Sequence, residues 1–357
     1  MTIADTATSE LVVEPGVVGS LGALLRARGV TGRAFLVADS NVLRLHGAAA
    51  KHSFDAAGIS VAVREVPAAE SSKSLAMATR LYEWLAAERT ERRDFLIALG
   101  GGVVGDLVGF VAATYLRGLP VIQVPTTLLS QVDSAIGGKT GLNLRVGKNL
   151  VGAWHMPRLI VVDPLLTRTL PERDICSGWV ETIKHALLMD EELLHDLEAH
   201  ADELLRVDPE WTANVVARSG RLKIAVVHED PREQGRRIIL NYGHTIGHAI
   251  ESVSNYRLHH GEAVAIGLEG AGRIGVAAGV TPPAVLERQR ALIARFGLPA
   301  KAHGLAMAKV RATMNLDKKV EAQTLTWVLL EAVGRPTVRR DIDEDIVQRV
   351  LEELVVA

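Results

Sequence analysis

Cysteine is nearly absent. Cys176 stands alone in 357 residues, so the chain closes no internal disulfide and builds no multi-cysteine zinc site. No apolar stretch reaches the roughly 18 residues that a membrane-spanning helix needs. The amino terminus, MTIADTATSE, has neither the basic stretch nor the apolar run of a secretory signal. A cytoplasmic enzyme without a membrane partner is the expectation. Net charge is also small. At −2 the chain has no overall basic field to recruit nucleic acid, so phosphate recognition must come from local clusters. Lysine is the last scarcity, with 10 lysines against 30 arginines. Arginine therefore carries the generic positive charge. Most lysines stand in or beside the motifs below: Lys73, Lys139, Lys148, Lys184, Lys223 and the pair Lys318 and Lys319. An ammonium is a compact point charge that a planar guanidinium does not replace, and these lysines are read as placed.

What is present is a substantial core, with 48% hydrophobic and 23% charged residues. The first half alternates short apolar runs with helical patterns. Strands are predicted at 34–38, 60–66, 95–99, 121–124 and 159–162, with helices at 72–85 and from the glycines after 99 through 114. Strands alternating with helices imply a parallel sheet in an α/β domain, with its ligand beyond the carboxyl ends of the strands. From about Leu170 the texture becomes helical: 178–190, 191–205, 211–228, 245–253 and 261–278. A strand pattern returns at 324–330, and an amphipathic helix at 343–354 closes the chain. The expected division is 1–168 for the α/β domain and 169–357 for an all-α domain.

Three constellations carry chemistry. The run LGGGVVGD, residues 99–106, is a strand followed by a glycine turn and a helix start, where exposed amides and the helix dipole favour a pyrophosphate. It departs from G-x-G-x-x-G, and alone it allows either a nucleotide or a tight turn. Asp39, ending an earlier strand, suits a ribose hydroxyl, and the Pro-Thr-Thr at 125–127 adds hydroxyls, which together favour a dinucleotide. The second constellation is metal-binding in character. His244 and His248 lie four apart on one helix face, His260 follows a turn later, and Glu181 and Lys184 share a face of another helix. Two imidazoles, one carboxylate and an open position form a common catalytic zinc shell. Periodicity alone selects His244 and His248, while helix histidines with structural hydrogen bonds remain the alternative, and His259 is read as a neighbour. The third is DSAIGGKTG at 133–141 with GKN at 147–149, lysines in glycine-rich turns that suit an anion. The full P-loop pattern does not occur, which argues against an ATPase.

The strings GGGVVGDLVGFVAATYLRG, VPTTLLSQVDSAIGGKTGLN, GKNLVGA, ETIKHALL, LNYGHTIGHAIE and HGEAVAIG resemble the 3-dehydroquinate synthase family, in its order, from about Asp39 to Leu330. The resemblance implies an N-terminal Rossmann-like α/β domain, a helical C-terminal domain and a homodimer. It implies zinc, or cobalt in its place, on Glu181, His244 and His260, with His248 near the substrate. NAD is implied at Asp39, Asn41, Glu70, Lys73, Gly100, Gly101, Gly102, Asp106, Thr126, Thr127, Lys148 and Thr169. Phosphate falls to Lys139, Asn149, Asn241, His248 and one of Lys318 or Lys319, Lys148 stands among the substrate-binding residues as well, and Arg117 reaches in from the partner subunit. Lys184, Lys223 and Arg237 hold hydroxyls and the carboxylate, and Asp133 and Glu233 match further site positions. The family reaction makes 3-dehydroquinate in the shikimate pathway from 3-deoxy-D-arabino-heptulosonate 7-phosphate, a phosphorylated sugar acid. It runs by transient oxidation with NAD, phosphate elimination, re-reduction and aldol closure. The residues before about Val30, and Pro67 to Glu70, Trp154 to Met156 and Glu229–Asp230, depart from the commonest patterns and leave substrate choice open. Relatives cyclise heptulose phosphates, amino analogues or glucose 6-phosphate. Arg237 and Lys223 favour a carboxylated substrate. A zinc polyol dehydrogenase on the same fold would release NADH and has no use for so many lysines. A non-catalytic nucleotide sensor would be expected to lose ligands that are all present here.

Overall fold

A computed structural model describes residues 9–320 and 325–356, the side chains of 316–320 excepted. The chain divides into two compact units. One is Met1–Leu170 with Val207–His228, and the other is Pro171–Arg206 with Glu229–Ala357.

The first unit is built on a six-stranded parallel sheet. Its strands are β1 (Glu10–Val13), β2 (Ala34–Asp39), β3 (Val61–Val66), β4 (Phe95–Gly100), β5 (Val121–Pro125) and β8 (Leu159–Val162), in the order β1-β8-β5-β4-β2-β3. The central strands read as unbroken apolar runs because helices cover both faces. Leu36, Ala38, Ile97 and Leu99 pack with Leu21, Leu25 and Phe54 on one side. Phe35, Val37, Leu96 and Ala98 pack with Leu81, Leu85 and Val108 on the other. Each large side chain so buried contributes about 1.5–3 kcal/mol. From β2 the chain passes outward to β3, and from β4 to β5 on the opposite side. The order therefore reverses between β2 and β4, whose carboxyl ends are Asp39 and Gly100. That crevice is where such sheets bind ligands.

Three features of this unit lie outside the sequence expectation. Strand β1 pairs in parallel with β8 from Glu10↔Leu159 to Val13↔Val162. The lysine loop is an antiparallel hairpin of β6 (Lys139–Leu144) and β7 (Gly147–Trp154), with an irregularity between Leu142 and Leu144. Residues 207–228, within the range expected for the helical domain, pack with the first unit. Arg168 donates to the Val207 carbonyl at 3.0 Å, and a Cβ at Gly220 would lie 2.8 Å from Leu11.

The second unit is mainly helical. Helices Glu172–Met189, His244–Val253 and His260–Ala277 carry the candidate metal residues. It is not purely α-helical. Trp327–Ala332 and Arg335–Arg339 form a hairpin, and Ala302–His303 pairs with Val355–Val356. Ile246, Ile250, Ile266, Trp327, Leu329 and Leu351 form its core. Among the described residues no helix is long and apolar enough to cross a membrane.

Candidate active site

In the first unit the glycine run sits at the end of β4. Gly101 caps the helix Gly102–Thr114, and a Cβ there would lie 3.0 Å from the Thr127 methyl and crowd this cradle. Thr126 donates its N–H to the Gly100 carbonyl at 3.0 Å. Asp39 lies beside β4 through the pairing Ala38↔Leu99, and its Oδ1 accepts the N–H groups of Asn41 and Val42 at 2.9 and 3.0 Å. Thr169 meets His46 Nε2 at 3.2 Å, a contact the sequence did not signal. The donor-rich turn at a topological switch point fits a dinucleotide.

Next to it, residues assigned to cofactor and to phosphate form one network within this unit. The Lys73 ammonium, almost wholly buried, donates to Asp106 and to Asn149 Oδ1. Burial pushes the Asp106 carboxyl above its ordinary range, against the pull of Lys73. Asn149 takes φ +59°, which asparagine tolerates better than most residues, and its N–H donates to Asn143 Oδ1 at 3.0 Å. Asn143 in turn donates to Glu70 at 2.7 Å, and Lys148 lies 3.8 Å from the same carboxylate. A cavity of about 240 Å³ is lined by Asp106, Lys139, Thr140, Asn149 and Trp154 among others, and the Lys139 ammonium stands 5.7 Å from the Trp154 ring centre. The buried Lys223 donates to the Asp133 backbone carbonyl at 2.7 Å and to its carboxylate. Arg117 is exposed, in a turn where Leu116, Arg117 and Gly118 all have positive φ.

In the second unit three helices bring Glu181, His244 and His260 together, with their ligand atoms within 4.8 Å of one another. Close backbone approach makes this possible. A Cβ on Gly261 would lie 1.9 Å from the Ser177 carbonyl, one turn before Glu181, and a Cβ on Gly267 would lie 1.9 Å from the Gly243 carbonyl, next to His244. Nε2 of His244 and Nε2 of His260 are each 3.6 Å from Glu181 Oε1. Their Nδ1 atoms face away, His244 to the Tyr242 carbonyl at 3.1 Å and His260 to Glu251 at 3.0 Å. A tetrahedral ion bound at about 2.0–2.1 Å separates its donors by roughly 3.3 Å. Glu181 is fully buried, its Oε2 pairs with the Lys184 ammonium, and its Oε1 has no hydrogen-bond partner among the described residues. A buried carboxylate with two convergent imidazoles fits a divalent metal.

The electrostatics agree with that donor set. Burial opposes charge on Glu181, but Lys184 and the two histidines outweigh it and hold its pKa well below the ordinary value. Burial, with Lys184 adding to it, holds His244 well below the ordinary imidazole range. For His260 burial works the same way, yet the nearby carboxylates of Glu181 and Glu251 prevail and lift it to about 10. His248, the partner that helical spacing alone selects, lies outside this trio, its ring centre 4.9 Å from that of His244 and 6.1 Å from that of His260. His259 caps the helix His260–Ala277 and pairs with Asp174 at 3.0 Å.

A loop supplies the remaining groups. Asp230, which the motif reading left without a role, accepts the N–H groups of Gln234, Gly235 and Arg237 at 2.9, 2.7 and 3.0 Å. This folds the segment that carries Glu233, at φ +57°, and the buried Arg237, whose Nη1 donates to the Pro231 carbonyl at 3.1 Å. Asn241 reaches Glu233 at 3.5 Å. Lys318 and Lys319 lie on the helix Met307–Val320, and their side chains are outside those described.

Two family models match the chain, one described as 3-dehydroquinate synthase N-terminal over residues 63–177 and one as 3-dehydroquinate synthase C-terminal over residues 178–320. A 3-dehydroquinate synthase of Symbiobacterium thermophilum is 45% identical over 347 residues, covering 96% of this chain and 97% of its own. One from a Nostoc species is 42% identical over 353 residues, covering 98% and 97%. Among solved structures, the 2-epi-5-epi-valiolone synthase ValA of Streptomyces hygroscopicus subsp. jinggangensis, with NAD+ and Zn2+ bound, superposes with TM-score 0.91 at 26% identity, covering 99% of this chain and 98% of its own. A 2-deoxy-scyllo-inosose synthase complexed with carbaglucose-6-phosphate, NAD+ and Co2+ gives TM-score 0.86 at 26% identity, covering 96% of each chain.

Proposed function

The chain belongs to the 3-dehydroquinate synthase family, and from that membership we propose that it converts 3-deoxy-D-arabino-heptulosonate 7-phosphate to 3-dehydroquinate and phosphate. The observation that carries the reading is the donor set of buried Glu181 and half-buried His244 and His260, with Lys184 against it. When bound, a zinc or cobalt ion supplies a Lewis acid for an alcohol or ketone oxygen, and NAD supplies a hydride acceptor restored within each turnover.

The chain's own groups have these roles. Glu181, His244 and His260 hold the metal. Lys184 stabilises negative charge that develops on a substrate oxygen, and its point charge turns from Glu181 to that oxygen without rearrangement of a planar fork. Gly100 to Gly102, Thr126 and Thr127 offer donors to the pyrophosphate of NAD, and Asp39 orients the ribose. Asn41, Glu70, Lys73, Asp106, Lys148 and Thr169 complete the cofactor set. Lys139, Lys148 and Asn149 hold the substrate phosphate, as do Asn241, His248 and one of Lys318 or Lys319. His248 acts as a donor to that phosphate rather than as the base. Arg237 matches the carboxylate with its guanidinium fork, and Lys223, steadied by Asp133, holds a hydroxyl. Glu233 orients Asn241. Arg117 reaches the neighbouring site of a cytoplasmic homodimer.

The test is phosphate release from 3-deoxy-D-arabino-heptulosonate 7-phosphate by metal-loaded protein with NAD, with and without chelator. The expected result is metal-dependent release with no net NADH. Net NADH from a diol would instead identify a polyol dehydrogenase. Release only from glucose 6-phosphate, sedoheptulose 7-phosphate or an amino analogue would move the substrate to another cyclase.

A further inference from the structure

The string LNYGHTIGHAIE ends in a residue that none of these roles uses. Glu251 lies seven residues after His244 and three after His248, on the same face of the helix His244–Val253. Its Oε2 is 3.0 Å from His260 Nδ1. The intervening turn is built to make that contact. The Tyr256 N–H and the Ser254 hydroxyl both donate to the Glu251 carbonyl, at 3.1 and 2.8 Å, and Asn255 and Tyr256 take φ of 52° and 58°. The chain thus doubles back within nine residues, and the His260 ring is held at Nδ1 with Nε2 turned toward Glu181, 3.6 Å away.

Charge bookkeeping gives the contact a purpose. His244 and His260 are each the first residue of a helix, and such ends carry about half a positive charge. Glu181 brings one negative charge, which the Lys184 ammonium at Oε2 offsets. A second carboxylate beside these donors therefore favours a dication there. The ring of His244 is backed only by the neutral Tyr242 carbonyl, whereas His260 is backed by Glu251.

We propose that Glu251 is a positioning residue of the metal centre. By accepting the Nδ1 proton of His260 it fixes the tautomer that presents Nε2 to the ion, and it supplies the negative charge that Lys184 removes from Glu181. This rests on reading Glu181, His244 and His260 as metal ligands. A carboxylate behind a ligating imidazole raises its basicity, and losing such a partner lowers metal affinity about 10–100-fold.

The experiment titrates the chelator-stripped full-length chain with Co2+, following the visible cobalt absorption in competition with a chromophoric chelator. Glu251→Ala is expected to weaken Co2+ binding about 10–100-fold and to shift the cobalt spectrum. Glu251→Gln, which keeps an acceptor without its charge, is expected to lose about tenfold and to regain most turnover at saturating Co2+. Should the alanine variant not fold, the glutamine variant carries the test. Wild-type affinity and spectrum in the folded variants, with at most a lower melting temperature of the metal-free protein, would overturn the proposal and leave the metal reading standing. Failure of the wild-type chain to take up Co2+ would overturn both.

Discussion

Among the described residues three lysines are almost wholly buried, and each meets a carboxylate of its own unit: Lys73 with Asp106, Lys184 with Glu181 and Lys223 with Asp133. A buried ammonium without a partner is costly, and these pairs hold the charge in place. Lys139 differs, since it is exposed beside Trp154 at the mouth of the hairpin cavity. Lys139→Ala is therefore expected to leave the fold and NAD binding intact. It should lower kcat/KM by about 10–150-fold, the equivalent of one charge-assisted hydrogen bond of roughly 1.5–3 kcal/mol. Steady-state kinetics with parallel NAD titration checks this, and near-normal turnover would remove Lys139 from the phosphate site. At this scale the sequence was legible where an odd residue type stood in a glycine-rich string. It was mute where a residue works through another. Asp230, Asn143 and Glu251 are ordinary polar residues until three N–H groups, an asparagine amide and an imidazole are folded onto them.

Among the elements, the helix His260–Ala277 is held at its first turn by Glu262. Its Oε2 accepts the His259 N–H at 2.7 Å, and Arg173 binds both oxygens at 2.7 Å. Burial opposes charge on Glu262, but Arg173 and the His259 N–H outweigh it, so its folded pKa lies below the ordinary 4.5. A depressed folded pKa means that the stabilisation is complete above the unfolded value and is lost as pH falls through the folded one. Thermal melts are expected to show a steeper acid loss in the wild type than in Glu262→Gln, with the two converging at low pH. An equal loss in both would assign the acid sensitivity elsewhere. The central strands were readable because burial on both faces writes a continuous apolar run, as in Phe95 to Leu99. Strand β1 escaped because it is a four-residue edge strand that starts on an exposed glutamate. The β6–β7 hairpin escaped because its glycines read as loop. Spacing along one helix favoured His248 over His260, since periodicity sees only one helix at a time and the trio comes from three.

For the whole molecule, the chain passes between its units three times, after Leu170, after Arg206 and after His228. The two sides of the excursion 171–206 remain adjacent in the first unit, where Arg168 donates to the Val207 carbonyl. Replacing 171–206 by a short Gly/Ser linker in a fragment ending at 228 is therefore expected to give a cooperatively folding unit that binds NAD. A fragment ending at 170 leaves Leu11 and Ile136 without their cover by the helix Pro209–Glu229 and is expected to aggregate. Calorimetric unfolding and NAD titration of the two fragments decide it, and equal folding of both would make the returning helix dispensable. The same three passages bear on heredity. Neither unit corresponds to one continuous stretch of coding sequence, so no single recombination joint can exchange one whole unit for a foreign one. A joint after Leu170 would separate the helix Pro209–Glu229, with Lys223 on it, from its unit, and a joint after His228 would do the same to 171–206. The two units therefore travel through a single crossover as one inherited whole or not intact at all.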